Sequence, residues 1–310
     1  MSTESGTLLD VTGVSHGYVT VRGARFHYVQ SGTAPASGSA AADEDVVLLL
    51  HGLPLNWYSW RHVLGQLDGE YRLICLDLRG CGGSEPTKRG YSTHDQVQDI
   101  LSILNALGLQ RVRLLGHESG GWLGFMLCLA APERFSAFLA LNVSHPWLER
   151  KGGVPWSVWR FWYTAFWEYP GIGRRVLRHW PGFTRFLLRS WAGRAHRWDE
   201  AALEEFVLMS RGKEQSRVVE QNLWQFVVHD IPRLAMRRME RERLAVPTLI
   251  LTGDRDPVTR LQPLEALPEH ASQLEVRVVP GGHLLPETAP DAVAAAAREW
   301  FGPCRNADDP

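Results

Sequence analysis

The chain has 310 residues, 45% of them hydrophobic and 22% charged, with a formal net charge of -1. This length suffices for one large domain with a sizeable core, and the composition excludes wholesale disorder and collagen-like repeats. No apolar run approaches the ~18 residues of a membrane span, and the first residues lack the features of a signal peptide. The near-neutral charge gives no reason to expect nucleic acid as a partner. We therefore expect a cytoplasmic protein that binds neither membrane nor nucleic acid.

Most of the chain alternates between predicted strands and predicted helices. Residues 17–30 alternate in polarity and break at Arg22 and Gly23, which predicts a β-hairpin. Continuous apolar runs then predict strands buried on both faces of a sheet. These runs lie at residues 46–51, 73–77, 112–116, 138–143 and 247–253, and residues 274–279 are predicted as a sixth strand of this kind.

Helical patterns separate these strands. Ser92, with Asp95 three residues on, begins an amphipathic helix that ends at Gly108. An apolar helix follows Gly116, and a last helix covers residues 292–301. Strands that alternate with helices in this way predict an α/β fold with a doubly wound, mostly parallel sheet.

The alternation stops between residues 148 and 243, where the pattern is helical and eight of the 13 tryptophans occur. Such an insertion covers the carboxyl ends of the strands, where parallel sheets bind ligands. We predict a cap domain over 148–243 on a core domain of residues 1–147 and 244–310. Residues 150–243 carry 16 Arg and 2 Lys against 10 acidic residues, a local charge of +8. This basic segment either docks on an acidic layer or attracts a substrate with an anionic group.

The strongest chemical signal is the sequence LGHESGG at residues 115–121, between a buried strand and an apolar helix. So sharp a strand-to-helix turn requires small residues two before and two after its apex. Gly116 and Gly120 meet this requirement and place Glu118 at the apex. The motif resembles the nucleophile elbow of the α/β-hydrolase superfamily, whose apex is usually Ser, Asp or Cys. Two alternatives are Ser119 as an esterase nucleophile, which puts a histidine where a small residue is required, and a turn without a catalytic role.

Two further motifs extend this resemblance in the first half of the chain. HGLP at residues 51–54, continued by NWYSWR, is similar to the HGxP segment of epoxide hydrolases and haloalkane dehalogenases, and the continuation favours the epoxide hydrolases. The family's oxyanion hole then implies the backbone N–H groups of Leu53 and Ser119. DLRGCGGS at residues 77–84 matches a superfamily loop to which we assign a structural role.

Two motifs in the second half resemble the rest of the family's catalytic triad. GDRDP at residues 253–257 is similar to the acid loop, which implies Asp256, in preference to Asp254, as the orienting carboxylate. PGGH at residues 280–283 implies His283 as the general base. The chain order of nucleophile, acid and base also matches the family.

The leaving group separates epoxide hydrolases from haloalkane dehalogenases. Epoxide hydrolases protonate the ring oxygen with two cap tyrosines, the first lying seven residues before Pro-Gly, which implies Tyr163 as the acid; the alternative is an aromatic that only packs the cap. The second position holds Trp224, whose indole N–H donates a hydrogen bond but not a proton. Dehalogenases carry Asn and Trp where this chain has Leu53 and Ser119, which disfavours halide binding. We expect an aromatic substrate pocket lined by Trp57, Trp162 and Trp224.

Glutamate at the apex departs from the family pattern. The extra methylene moves the carboxylate by about 1.5 Å, and a misplacement of about 1 Å can cost ~100-fold in rate. Three possibilities stay open: Glu118 forms a covalent ester, Glu118 acts as a general base on water, or the site binds its ligand without hydrolysis.

Together these motifs predict the α/β-hydrolase fold with a helical cap. They imply a hydrolase that opens an epoxide, or a similarly strained three-membered ring, on a hydrophobic or aromatic small molecule by means of Glu118, His283 and Asp256. The alternatives are an ester, lactone or carbon–halogen hydrolase on the same scaffold and a ligand-binding protein without catalysis. No metal or organic cofactor is implied. The substrate, its regiochemistry and the choice between monomer and homo-oligomer do not follow from the sequence.

Overall fold

Eight strands form one sheet at the centre of the structure. The computed structural model describes residues 11–32, 46–143, 145–147, 167, 169–236, 238–258 and 270–303. The strands are β1 (Val14–Val21), β2 (Ala24–Ser31), β3 (Val46–Leu50), β4 (Arg72–Leu76), β5 (Val112–His117), β6 (Phe135–Leu141), β7 (Thr248–Gly253) and β8 (Leu274–Val279). Their order across the sheet is β1-β2-β4-β3-β5-β6-β7-β8. The pairs β1–β2 and β2–β4 are antiparallel and the other neighbours are parallel, which confirms the predicted mostly parallel sheet.

The hairpin and the central strands follow directly from the local sequence. Arg22 and Gly23 have φ angles of 48° and 72°, the left-handed pair that joins two antiparallel strands with the correct twist. The prediction of a sixth fully buried strand is wrong for β8. This strand lies at the edge of the sheet, and Val278 is 63% exposed.

Some of the described helices pack on the two faces of the sheet, and others cover the carboxyl ends of its strands. They are α1 (Arg61–Leu67), α2 (Thr93–Ala106), α3 (Ser119–Ala130), α4 (Gly173–His179), α5 (Pro181–Ala192), α6 (Glu200–Arg211), α7 (Lys213–Gln225), α8 (Ile231–Ala235), α9 (Leu285–Thr288) and α10 (Pro290–Phe301). As predicted, Ser92 caps α2, because its hydroxyl accepts the Asp95 N–H at 3.1 Å. Leu48 of β3 belongs to the apolar cluster that includes α2 and α3, whereas the next residue, Leu49, belongs to the cluster with α1 and α10. Alternate residues of each central strand therefore fill opposite layers.

Five described helices, α4 to α8, lie between β6 and β7 in the chain, within the predicted cap segment. The helices α4 to α7 share an apolar cluster with Leu55 and Leu284, two core residues that follow β3 and β8. A hydrogen bond of 2.9 Å from Gln96 Nε2 to Asn222 Oδ1 also joins α2 to α7. The described helices thus cover the carboxyl ends of the strands, while the domain boundaries at residues 148 and 243 stay a prediction. No described helix is long and apolar enough to span a membrane.

Candidate active site

Glu118 stands between the last residue of β5 and the first residue of α3. Its φ of 51° and ψ of -113° form the strained turn that the glycine spacing predicts. A Cβ atom at Gly120 would lie 2.2 Å from the Leu50 carbonyl oxygen, and one at Gly116 would lie 2.7 Å from the Gly120 carbonyl oxygen. Both positions therefore require glycine, which fits the predicted elbow with Glu118 at its apex.

Two backbone N–H groups hold one oxygen of the Glu118 carboxylate. Oε2 accepts the N–H of Leu53 at 2.9 Å and the N–H of Ser119 at 2.5 Å. These are the two donors that the family resemblance implies for an oxyanion hole. The structure therefore places a carboxylate oxygen of the chain itself between them.

A buried histidine shapes the loop that presents the Leu53 N–H. His51 Nδ1 donates to the Gly52 carbonyl oxygen at 2.9 Å, and Nε2 accepts the Leu78 N–H at 3.0 Å. Burial lowers the pKa of His51, which agrees with a neutral ring that uses one nitrogen as donor and the other as acceptor. A Cβ atom at Gly52 would lie 2.9 Å from Glu118 Cβ and 3.0 Å from Oε2. Glycine at this position lets the loop approach the carboxylate.

His283 lines the same cavity as Glu118 and forms a buried pair with Asp256 behind it. His283 Nδ1 lies 3.0 Å from Asp256 Oδ2 and 3.1 Å from Oδ1, so the carboxylate orients the ring and leaves Nε2 for chemistry. Burial alone would lower the pKa of His283, but the charge and hydrogen bond of Asp256 and the charge of Glu118 outweigh it and raise that pKa. Asp254 instead accepts the Gly281 N–H at 2.9 Å. The structure thus places Asp256, not Asp254, within hydrogen-bond distance of His283.

Asn142, which the sequence analysis missed, connects the loop that carries Asp256 to the loop that carries His283. It follows β6 with a φ of 43°. Its Nδ2 donates to the carbonyl oxygens of Gly282 and His283 at 2.8 and 2.7 Å, and its Oδ1 accepts the Gly253 N–H at 2.8 Å. His117 Nε2 also donates to the His283 carbonyl oxygen, at 2.8 Å. The only sequence signal for Asn142 is a polar residue, tolerant of positive φ, directly after a buried strand.

The D-x-R-G loop has the structural role that the sequence predicts. The two oxygens of the Asp77 carboxylate accept the N–H groups of Trp57 and Gly83, each at 2.8 Å. Asp77 Oδ2 also lies 2.7 Å from His27 Nδ1. These bonds connect the β2 strand with the loops that follow β3 and β4, next to the oxyanion-hole loop.

A cavity of about 160 Å³ opens beside Glu118 and His283. Its apolar lining includes Leu53, Trp122, Leu123, Val143, Leu223 and Phe226. The rings of Trp122 and Phe226 meet edge to face, with centroids 5.4 Å apart. An apolar wall with a few polar groups at one end is the usual form of a small-molecule site.

Two of the three tryptophans expected in this wall pack against other aromatic rings. Trp57 is 2% exposed and packs against Tyr58 at a centroid distance of 5.7 Å. Trp224 packs against Tyr169 at 5.8 Å, and the residues of α7 that line the cavity are Asn222 and Leu223. Neither Trp57 nor Trp224 is among the described residues that line the cavity. The predicted acid Tyr163 and its neighbour Trp162 lie outside the described residues.

Comparisons with known proteins agree with this geometry. Residues 45–290 match the model of a protein family described as alpha/beta hydrolase fold. The chain is 37% identical over 136 residues to mouse Epoxide hydrolase 4, which covers 43% of this chain and 36% of that protein. It is 32% identical over 180 residues to pig Bifunctional epoxide hydrolase 2, which covers 55% of this chain and 30% of that protein. The chain thus spans about a third of the length of the curated relatives it matches.

Solved structures show the same fold. The crystal structure of Cfl2 from Burkholderia cenocepacia has a TM-score of 0.79 and 24% identity, and the match covers 94% of this chain and 96% of that one. The epoxide hydrolase CorEH without ligand has a TM-score of 0.79 and 22% identity, with 93% and 98% covered.

Proposed function

This chain belongs to the alpha/beta hydrolase fold family, and from that premise we propose that it hydrolyses an epoxide, or a similarly strained three-membered ring, on a hydrophobic or aromatic small molecule. The observation that carries the proposal is the position of the Glu118 carboxylate. One carboxylate oxygen is fixed by two backbone N–H groups, and His283, paired with the buried Asp256, lines the same cavity. The similarity to epoxide hydrolases supports the choice of leaving group.

In the first step, Glu118 Oε1 attacks a ring carbon of the epoxide. Among the described residues, none forms a hydrogen bond with this oxygen, so it is the free nucleophilic atom of the carboxylate. The carbon–oxygen bond of the ring breaks, and the ring oxygen takes a proton and becomes the first hydroxyl of the product. Tyr163, seven residues before Pro170, remains the proposed donor of that proton.

In the second step, water attacks the carbonyl carbon of the resulting glutamyl ester. His283 Nε2 takes the proton from the water, and Asp256 stabilises the imidazolium that forms. The negative charge develops on Oε2, which already lies between the N–H groups of Leu53 and Ser119. Collapse breaks the ester bond, and the leaving oxygen receives the proton from His283. The product is a diol, and the Glu118 carboxyl group releases its proton, which restores the proton donor of the first step, and returns as a carboxylate.

This geometry favours a covalent ester over general-base catalysis by Glu118. Two N–H donors hold Oε2 in the position that an ester carbonyl oxygen would take, whereas a general base must accept a proton from water. The ester carbonyl oxygen would form in the position in which it is stabilised. The longer glutamate side chain would therefore act as the nucleophile at the apex, where related proteins have a shorter residue.

The position of the Glu118 carboxylate also argues against Ser119 as an esterase nucleophile. Its N–H and that of Leu53 are occupied by Glu118, so a substrate carbonyl oxygen would have to displace a carboxylate. The Ser119 hydroxyl is buried and has no hydrogen-bond partner among the described residues, which leaves it without a base. A ligand-binding protein without catalysis would have no use for the His283–Asp256 pair.

The proposal is tested by assaying the full chain with aryl and alkyl epoxides. Glu118→Gln should abolish diol formation, because an amide is a poor nucleophile. His283→Gln should stop after the first step, so its intact mass should rise by the mass of the epoxide. Ser119→Ala keeps the backbone N–H and should retain most of the turnover. Turnover that survives Glu118→Gln but is lost in Ser119→Ala would overturn the proposal.

A further inference from the structure

A second cavity, of about 390 Å³, adjoins the one beside Glu118. Thr93, the first residue of α2, lines both cavities. We call the second one the outer cavity and define it by the residues that carry its chemistry, which are His94, Val228, His229, Arg233, Met236 and Arg238. It thus combines basic side chains with apolar ones in one depression on the protein surface.

The wall between the cavities consists of α2 and a π-helical turn over Phe226–Asp230. Phe226 lines the inner cavity, while Val228 and Asp230 line the outer one. The Thr93 hydroxyl donates to Asp230 Oδ2 at 2.6 Å, at the edge that both cavities share. Single turns of π-helix occur mostly within α-helices at functional sites.

The outer cavity carries more basic than acidic side chains. Arg233, Arg238, His94 and His229 are exposed, and none has an ion pair among the residues that the structure describes. Among the described lining residues, Asp230 is the only carboxylate; it is 1% exposed, and burial raises its pKa against the opposing effects of Thr93 and Arg233. Three other cap arginines are paired instead. Their acidic partners are Glu220 for Arg174, Glu204 for Arg185 and Glu200 for Arg189.

We propose that the outer cavity binds the anionic group of the substrate, so that the natural substrate is an apolar molecule with an acid group at the end remote from the ring that Glu118 attacks. Arg233 and Arg238 attract the anion, and Val228 and Met236 contact the apolar part beside it. The body of the substrate passes Thr93 into the inner cavity. This assignment of a substrate class rests on the proposed function, whereas the binding site itself does not.

Binding is measured first, with ligands that cannot react. Calorimetry compares 4-propoxybenzoate with its neutral isostere 4-propoxybenzamide on the wild-type chain, on Arg233→Ala/Arg238→Ala and on the control Arg175→Ala, which removes an exposed arginine of α4. The benzoate should bind about five- to tenfold more tightly than the amide, as expected for two partly exposed ion pairs. The preference should vanish in the double variant and in ~0.5 M salt, and persist in the control. Equal affinities for the two ligands, or a preference that survives the double variant, would overturn the proposal.

Turnover then separates this proposal from the proposed function. The reactive pair is 4-(glycidyloxy)benzoate and 4-(glycidyloxy)benzamide. A lower KM for the benzoate, lost in the double variant with kcat retained, supports the outer cavity as the anion site. Hydrolysis of both epoxides with the same KM contradicts the anion site and leaves the hydrolase function standing. If neither epoxide reacts but the calorimetric preference still depends on the two arginines, the site stands and the hydrolase function fails.

Discussion

Replacement of Asn142 by alanine should both destabilise the fold and slow the reaction. The substitution removes three hydrogen bonds of 2.7 to 2.8 Å. The Gly253 N–H and the Gly282 carbonyl oxygen are buried and lose the bonds that Asn142 makes to them, at about 1–3 kcal/mol each, whereas the His283 carbonyl oxygen keeps its bond from His117. Alanine at a φ of 43° adds about 1 kcal/mol of strain. We therefore expect a loss of about 3 to 7 kcal/mol in the free energy of unfolding.

Urea unfolding and steady-state kinetics measure the two effects on the same samples. Because the loops of Asp256 and His283 lose their common tie, kcat should fall by about 100-fold. Asn142→Asp is the matched variant, since it retains the acceptor for Gly253 but faces two carbonyl oxygens with a charge. The free energy of unfolding of Asn142→Asp should approach that of the wild type as the pH falls toward 5, because the protonated carboxyl group of this variant can again donate a hydrogen bond. The reasoning would be refuted if Asn142→Ala changed the free energy of unfolding by less than ~0.5 kcal/mol. It would also be refuted if the loss of stability in Asn142→Asp did not depend on pH.

Three further changes test the site. Gly52→Ala places a Cβ 2.9 Å from Glu118 Cβ, so kcat should fall at least about 100-fold; an unchanged kcat contradicts the close approach. Glu118→Asp withdraws the carboxylate by about 1.5 Å from its donors and should slow turnover, so a faster variant speaks against a site built for glutamate. The rate should fall as pH drops through the raised pKa of His283, which lies above 6.5. Asp256→Asn removes the charge that raises the pKa of His283, so the fall in rate should occur at lower pH. If the fall stays at the same pH, His283 is not the base. The same pair should stabilise the fold fully below pH 6.5 and lose that contribution as pH rises through the raised pKa, which pH-dependent unfolding measures.

Patterns confined to a short stretch of chain predicted the fold well. Apolar runs gave the buried strands, Ser92 and Gly108 bounded α2, and the two glycines around Glu118 gave the elbow. The strand β8 was misjudged although its sequence LEVRVV alternates polar and apolar residues, a pattern that indicates an edge strand with one exposed face.

Side-chain direction and contacts distant in the chain were harder to predict. Trp224 occurs in a segment that does reach the cavity, but residues two apart on a helix point in different directions, and Asn222 faces the cavity instead. Asn142 acts on residues 111 and 140 positions away, which no local pattern shows. The order of the strands brings these loops together, and that order is a property of the folded sheet.

The most direct test of the central claim, that Glu118 is a nucleophile, is a single turnover in ¹⁸O-labelled water with enzyme in excess of the epoxide. Hydrolysis of a glutamyl ester leaves the water oxygen in the carboxylate, so the peptide that contains Glu118 should gain 2 Da, and the diol should carry no label. Label in the diol, with none in the Glu118 peptide, would show direct attack by water and contradict the ester mechanism.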